Sequence, residues 1–335
     1  MKIGFLRYDK KPPKRARCLF ALASLYNVDF FYFRPECVDM QNKKIKGTFF
    51  ENGGYVERET DYPDIIDDIY SFQYNYRRLY SHLSEYCIFT YVRLGEKSKV
   101  YDILSENENC RRYLIDTFSY DDVDIDEILN KYSKVIIKPT GGNKGNNIYR
   151  LHKEDDLYVL QLKNEITKLS PTEFNKKYTY IFSYEYLIQQ YIYSKTNAGN
   201  PFDIRVDVRR GKNGKWKLLK LRPRIGNINV IVSNISQGGS TAAIKDFLPN
   251  EFGNDWETVY DGLTTIANII PPIIQNKYKQ IIDALGIDVG IDRDNNNELK
   301  IFEINTFPGS TSFDFEVAEL SIHFYDFLYK ASKAK

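Results

Sequence analysis

The chain lacks most of the residue patterns that announce a mechanism. Its four cysteines (Cys18, Cys37, Cys87 and Cys110) show no CxxC spacing. That excludes a disulfide frame or zinc ribbon and leaves free thiols. The three histidines (His82, His152 and His323) form no HExxH motif and lie near no serine elbow, which argues against a zinc hydrolase or a Ser-His-Asp enzyme. No run approaches the roughly 18 apolar residues of a membrane span. The opening MKIGFLRYDKK has no apolar core of a signal peptide, so the expected location is the cytoplasm. An excess of one charge is missing too. With 47 Lys and Arg against 45 Asp and Glu, the net charge is +2, which gives no global pull toward nucleic acid. The one dense basic run, KKPPKRAR at Lys10 to Arg17, fits a solvated loop or helix start better than an anion contact.

What is present is ordinary globular composition, 42% hydrophobic and 27% charged over 335 residues, enough for two or three small domains. KIGFLRY predicts a strand, ARCLFALASLYN a helix, and the continuous VDFFYFRP a strand covered on both faces. Together they suggest a small α/β unit. GTFFENGGYVERE predicts a hairpin turning at Asn52-Gly53-Gly54, and YPDIIDDIYSFQYNYRRLYSHLSEY reads as helical. Further on, KSKVYDILSENENCRRYLIDT predicts a helix and an extended segment, and DVDIDEILNKYS a second helix. Strands are expected at Val135–Lys138, Asn147–His152 and Leu187–Ile192. FDIRVDVRRGKNGKWKLLKLRPRI is a long hairpin turning at Gly211–Gly214. GLTTIANIIPPIIQNKYKQIIDALG reads as helical around an interruption at Pro271-Pro272. GIDVGIDRDNNNELKIFEINTFPG is another hairpin, and a helix over Phe315–Lys333 closes the chain.

Two stretches carry chemistry. In KVIIKPTGGNKGNNIYRL, Lys138 ends an apolar run and Gly141, Gly142 and Gly145 lie in the loop that follows. It is neither GxxxxGK[ST] nor GxGxxG, and strand propensity follows where those motifs need a helix. Two readings stand: a surface hairpin turn with a snorkelling lysine, or a backbone nest for anionic oxygens beside a fixed charge. In the second stretch, a turn centred between Asn295 and Asn296 pairs Asp288 with Glu303, their Cβ atoms about 5 Å apart. Asn305 shares the face of Glu303. Two acids and an amide form an all-oxygen set of the kind Mg²⁺ prefers when it also bridges phosphates. Asp292 falls roughly 13 Å from Asp288 at strand rise and serves the turn with Asp294. Other candidate phosphate ligands are Arg205 in FDIRVDV, Arg222 and Arg224 in LRPR, and Asn234 in SNISQGG.

In this order the motifs resemble the ATP-grasp superfamily, and within it the YheC/YheD type, described as endospore-coat-associated. The resemblance covers most of the chain. It implies an α/β (α+β) ATP-grasp fold, two α+β subdomains clasping ATP after a small α/β N-terminal domain. The expected boundaries are 1–92, 93–190 with the glycine-rich lid, and 191–335 with the metal hairpin. Carried over by position, Lys97 and Lys138 contact ATP phosphates, with Lys99 the alternative to Lys97. Gln189, Gln190 and Ile192 line the adenine pocket, although the family commonly has glutamate where Gln190 stands. Arg224, Asn234 and Arg205 sit at the transferring phosphate, and Asp288, Glu303 and Asn305 hold Mg²⁺. The implied activity is ATP- and Mg²⁺-dependent carboxylate–amine ligation through an acylphosphate. Its partners would be a small-molecule or peptide carboxylate and an amine acceptor. A small-molecule kinase and a non-catalytic ATP-binding coat protein are the alternatives.

Overall fold

The architecture comes from a computed structural model. It describes residues 1–69, 76–92, 94–95, 97–140, 147–182, 185–227, 239–306, 308–309 and 313–334, with only the backbone of Lys97 and Ser98. Among the described residues the chain forms three sheets.

The first contains β1 (Lys2–Leu6), β2 (Asp29–Phe33), β3 (Val38–Asp39), β4 (Lys44–Glu51), β5 (Gly54–Asp61), β6 (Ile65–Asp67) and β7 (Ile88–Phe89), with helices α1 (Lys14–Leu25) and α2 (Arg77–Ser84). Its order is β3-β4-β2-β1-β6-β7, and β5 pairs with β4. Strands β2, β1, β6 and β7 run parallel. The unbroken FFYF of β2 follows from burial on both sides: Phe30 and Tyr32 join one core, Phe31 and Phe33 the other. The predicted β4–β5 hairpin forms, with Asn52 and Gly53 both left-handed (φ 51° and 80°), the backbone that an Asn-Gly turn requires. One expectation fails here. IID at Ile65–Asp67, read as part of a helical region, supplies β6 at the centre of the parallel sheet. Ile65 faces one core and Ile66 the other, so a three-residue strand buried on both sides shows no alternation to read.

The second sheet has the order β12-β11-β10-β9-β13-β8, antiparallel throughout. It follows α3 (Lys97–Ser105) and α4 (Glu108–Arg111), and comprises β8 (Thr117–Ser119), β9 (Lys134–Pro139), β10 (Tyr149–Glu154), β11 (Leu157–Leu162), β12 (Glu165–Leu169) and β13 (Tyr186–Gln190). Helix α5 (Ile125–Tyr132) starts where the Asp124 carboxylate accepts from the Asp126 and Glu127 amides, a side-chain N-cap. Helix α6 (Pro171–Phe182) lays Phe174, Tyr178 and Phe182 on the sheet.

The third sheet, ordered β16-β15-β14-β17-β18, is also antiparallel. Its strands are β14 (Phe202–Arg210), β15 (Trp216–Ile225), β16 (Ser240–Thr241), β17 (Ala284–Asp292) and β18 (Glu298–Asn305). Helices α7 (Ile244–Phe252) and α8 (Trp256–Gln275) cover its apolar face together with α3. Contrary to expectation, α8 runs through Pro271 and Pro272 without interruption. The two prolines remove the N–H donors that would bond the Ala267 and Asn268 carbonyls, and the helix continues for three more residues to Gln275. The residues after it lead into β17 at Ala284. Helix α9 (Asp314–Lys333) crosses back and packs Ala318, Ile322, Tyr325 and Leu328 against the first sheet beside α1. Among the described residues, no helix is long and apolar enough to cross a membrane.

Candidate active site

Alternation along β14 separates two chemistries. Phe202, Ile204, Val206 and Val208 point into the core, while Asp203, Arg205, Asp207 and Arg209 line the opposite face. Neighbouring strands complete a lattice of opposite charges on that face. Arg224, across from Asp203 in register, donates to both of its oxygens at 2.6 Å. Arg205 lies directly opposite Asp288 on β17 and grips it with Nε and Nη2, the latter at 3.0 Å. Arg224 Nη2 also reaches Asp288 at 2.9 Å. Arg222 Nε donates to Asp207 at 2.7 Å, and its Nη2 donates to the Gly309 carbonyl at 2.9 Å. Burial alone would lower the Arg224 pKa, but the Asp203 and Asp288 charges outweigh it and raise it. At Asp207, burial dominates and lifts the carboxyl above its ordinary range despite Arg222.

The β17–β18 hairpin sets Asp288 directly opposite Glu303 and Gly286 opposite Asn305, the pairing predicted from sequence. It arises by a different route. Near the turn, Asp292 pairs with Glu298 and Val289 with Ile301, a register one residue off the prediction. The left-handed pair is Asn296 and Asn297. A β-bulge between Asp288 and Val289 then absorbs Phe302 and restores the Asp288–Glu303 pairing. Two glycines make the close packing possible. A Cβ on Gly290 would stand 2.2 Å from the Phe302 ring, and one on Gly286 would stand 3.0 Å from the Arg205 guanidinium. Asp288, Glu303 and Asn305 therefore share one face. Two opposed carboxylates and an amide oxygen suit a hard cation that also takes phosphate oxygens. Among the described residues, no group of three or more His, Cys, Asp or Glu side chains gathers as a metal site.

On the second sheet, Lys138 donates to Gln189 Oε1 at 2.8 Å, and Gln189 Nε2 donates to Thr117 Oγ1 at 2.9 Å. These residues come from adjacent strands β9, β13 and β8, so one hydrogen-bonded row crosses the sheet. Gln190 ends β13, its N–H bonded to the Asp116 carbonyl. Ile192 is buried just beyond it. There the chain docks on the turn of the third-sheet hairpin: Tyr193 N–H donates to Asp292, Arg293 N–H to the Tyr193 carbonyl, and Ile291 N–H to Ser194 Oγ. Asp292 thus serves both its own turn and the segment that follows β13. Lys97 begins α3, while Lys99 lays its ammonium 4.9 Å from the Tyr278 ring centre. Gly141, Gly142, Gly145 and Asn234 lie outside the described residues.

The structure thus brings Arg205, Arg224, Asp288, Glu303 and Asn305 onto one face, and joins Lys138 to Gln189 on another sheet. Sequence reading overlooked Asp203, Asp207 and Thr117. The first two were visible as the other half of the D-x-R-x-D alternation in FDIRVDV, the signal of one polar strand face.

Comparison with known proteins follows the same outline. The family model described as YheC/D like ATP-grasp matches residues 86–329. Endospore coat-associated protein YheD of Bacillus subtilis (strain 168) is 23% identical over 318 residues, 90% of this chain and 68% of its own. YheC of the same organism, likewise called endospore coat-associated, is 23% identical over 303 residues, 86% of this chain and 82% of its own. The crystal structure of D-cycloserine synthetase DcsG superposes with a TM-score of 0.51 at 12% identity, covering 96% of this chain and 99% of that one, a likeness of fold.

Proposed function

The chain belongs to the YheC/D-like ATP-grasp family, and on that premise we propose that it is an ATP- and Mg²⁺-dependent carboxylate–amine ligase. Its substrate would be a peptide, amino-acid or modified-sugar carboxylate. The observation that carries this reading is the juxtaposition of Asp288 and Glu303 with two guanidinium groups on one sheet face. Asp288, Glu303 and Asn305 would hold Mg²⁺, which supplies neutralisation of phosphate charge when bound. Arg205 and Arg224, already beside Asp288, would then lie next to the transferring phosphoryl oxygens and offset their developing charge. Lys138, oriented by Gln189, would meet the phosphates from the second sheet, with the glycine loop as a lid that excludes water. A substrate carboxylate would attack the γ-phosphorus with ADP as leaving group, and an amine would displace phosphate from the acylphosphate. Domains at 1–92, 93–190 and 191–335 would divide the labour in this way.

The names of the curated relatives favour a second reading, an ATP-binding coat protein without turnover. Calorimetry with ATP and Mg²⁺, followed by ADP release across a panel of acids and amines, separates the two. The ligase reading expects Mg²⁺-dependent ATP binding, its loss in Glu303→Ala, and ADP release that needs acid and amine together. Release with acid alone and a stable phosphorylated product identifies a kinase. Binding without release identifies a coat protein, and no ATP binding overturns both.

A further inference from the structure

The polar face of the third sheet continues past the hairpin toward the first sheet. Arg209 lies on it four residues beyond Arg205, about 13 Å away at strand rise. It is 4% exposed. Each of five other arginines on these two sheets and α1 has a carboxylate within hydrogen-bond reach. Arg7 and Arg15 hold Asp67 at 2.6 and 2.8 Å, Arg222 holds Asp207 at 2.7 Å, Arg224 holds Asp203 at 2.6 Å, and Arg205 holds Asp288. Arg209 is different. The nearest carboxylate among the described residues, Asp283, is 3.8 Å from Nη1, beyond a hydrogen bond. Nη2 reaches the Pro308 carbonyl only at 3.4 Å. The buried Nε groups of both Arg209 and Arg15 have no partner among the described residues. Burial, then the charge of Arg15, pulls the Arg209 guanidinium pKa down.

Among the described residues the charges here do not balance. Arg7 and Arg15 share Asp67, Arg209 lies near Asp283, and the two groups act on each other electrostatically, three cations against two anions, while Asp207 is committed to Arg222. A buried guanidinium with unmatched charge and idle N–H groups is costly. One anionic group held by Arg209 and Arg15 removes both costs. Asp283, with its side chain 21% exposed, is the most exposed side chain of the cluster.

We propose that Arg209 and Arg15 form an anion subsite for the acid substrate, binding a carboxylate or phosphate at the end remote from the reacting carboxylate. This placement rests on the ligase reading. The separation of about 13 Å between Arg209 and Arg205 along the strand calls for an extended substrate with two acidic ends, longer than one free amino acid.

The test is titration calorimetry of the full chain without nucleotide, using succinate in one arm and inorganic phosphate in the other. Saturable 1:1 binding in the millimolar range is expected for at least one, and the tighter identifies the group. Arg209→Met and Arg15→Gln should each weaken it at least tenfold. Arg15→Gln leaves Arg7 on Asp67 and carries the test if Arg209→Met does not fold. No saturation by about 50 mM, or unchanged affinity in Arg15→Gln, overturns the subsite. Wild-type protein titrated with MgATP in parallel keeps the two ideas apart. MgATP binding without anion binding sinks the subsite alone, whereas anion binding without MgATP binding supports the subsite and sinks the ligase assignment.

Discussion

Asp288→Asn and Arg205→Met cut one ion pair from its two ends, and the lattice around it makes their costs unequal. Arg205 and Asp288 are 11% and 8% exposed at their side chains, so solvent screens neither well. Asp288 is the carboxylate that Arg205 hydrogen-bonds, whereas Asp288 has a second cation in Arg224 at 2.9 Å. Arg224 in turn keeps Asp203 at 2.6 Å. Asp288→Asn therefore takes from buried Arg205 its hydrogen-bonded carboxylate, at about 3–5 kcal/mol. Arg205→Met leaves Asp288 on Arg224 and loses only charge-assisted hydrogen bonds, about 1.5–3 kcal/mol. The difference is about 2 kcal/mol. The two tryptophans of the chain, Trp216 and Trp256, both pack on the core of this third sheet, so tryptophan fluorescence in urea reports its unfolding. With a slope of about 3 kcal/mol per molar urea, the two midpoints separate by about 0.7 M. The double variant strands no charge and should be more stable than the sum of the single losses predicts, by up to about 3 kcal/mol. Equal costs for the single variants, or additivity within about 0.5 kcal/mol, would refute the asymmetry.

Two further outcomes follow from packing and from the first sheet. Gly290→Ala puts a methyl 2.2 Å from the Phe302 ring; the bulge must rearrange, at about 1–3 kcal/mol, and Gly290→Ala with Phe302→Ala should recover much of that loss in the same urea experiment. Asp67→Asn removes the carboxylate shared by Arg7 and Arg15 and should cost about 3–5 kcal/mol near neutral pH. Although burial would raise the Asp67 pKa, Arg15, Arg7 and the Tyr325 hydroxyl outweigh it and hold it below its ordinary 3.8. Because the folded pKa is depressed, its stabilisation is present above about pH 4 and fades as pH falls through the folded value. The melting temperatures of wild type and Asp67→Asn should therefore converge in acid, and a gap that stays constant down to pH 2 would contradict the ion-pair account.

The sequence is legible in this protein where period and partner lie on the same short stretch. The β4–β5 and β14–β15 hairpins have local turns and alternation, and both form as read. β6 does not, because three residues buried on both faces carry no period. The prolines of α8 misled for a related reason: their effect depends on distance from a helix end that the sequence does not mark. The opposition of Asp288 to Glu303 was predicted from a symmetric turn, yet it exists because Phe302 is absorbed in a bulge over Gly290. An error of one residue at the turn and an unforeseen extra residue in the strand cancelled.

The charge lattice shows where reading along one strand stops. Alternation in FDIRVDVRR places Arg205 and Arg209 on one face with equal weight, and nothing in that stretch distinguishes them. Their partners do, and those come from elsewhere. Asp288 lies 83 residues away and directly across the sheet from Arg205. Arg209 has Ala284 in the corresponding position, and its nearest carboxylate sits one residue outside the strand. A carboxylate in register makes Arg205 half of an ion pair, while an alanine there leaves Arg209 with hydrogen-bonding capacity to spare. The difference between a lattice member and an arginine with an unpartnered Nε is therefore set by strand register, a property of the folded sheet that no single segment contains.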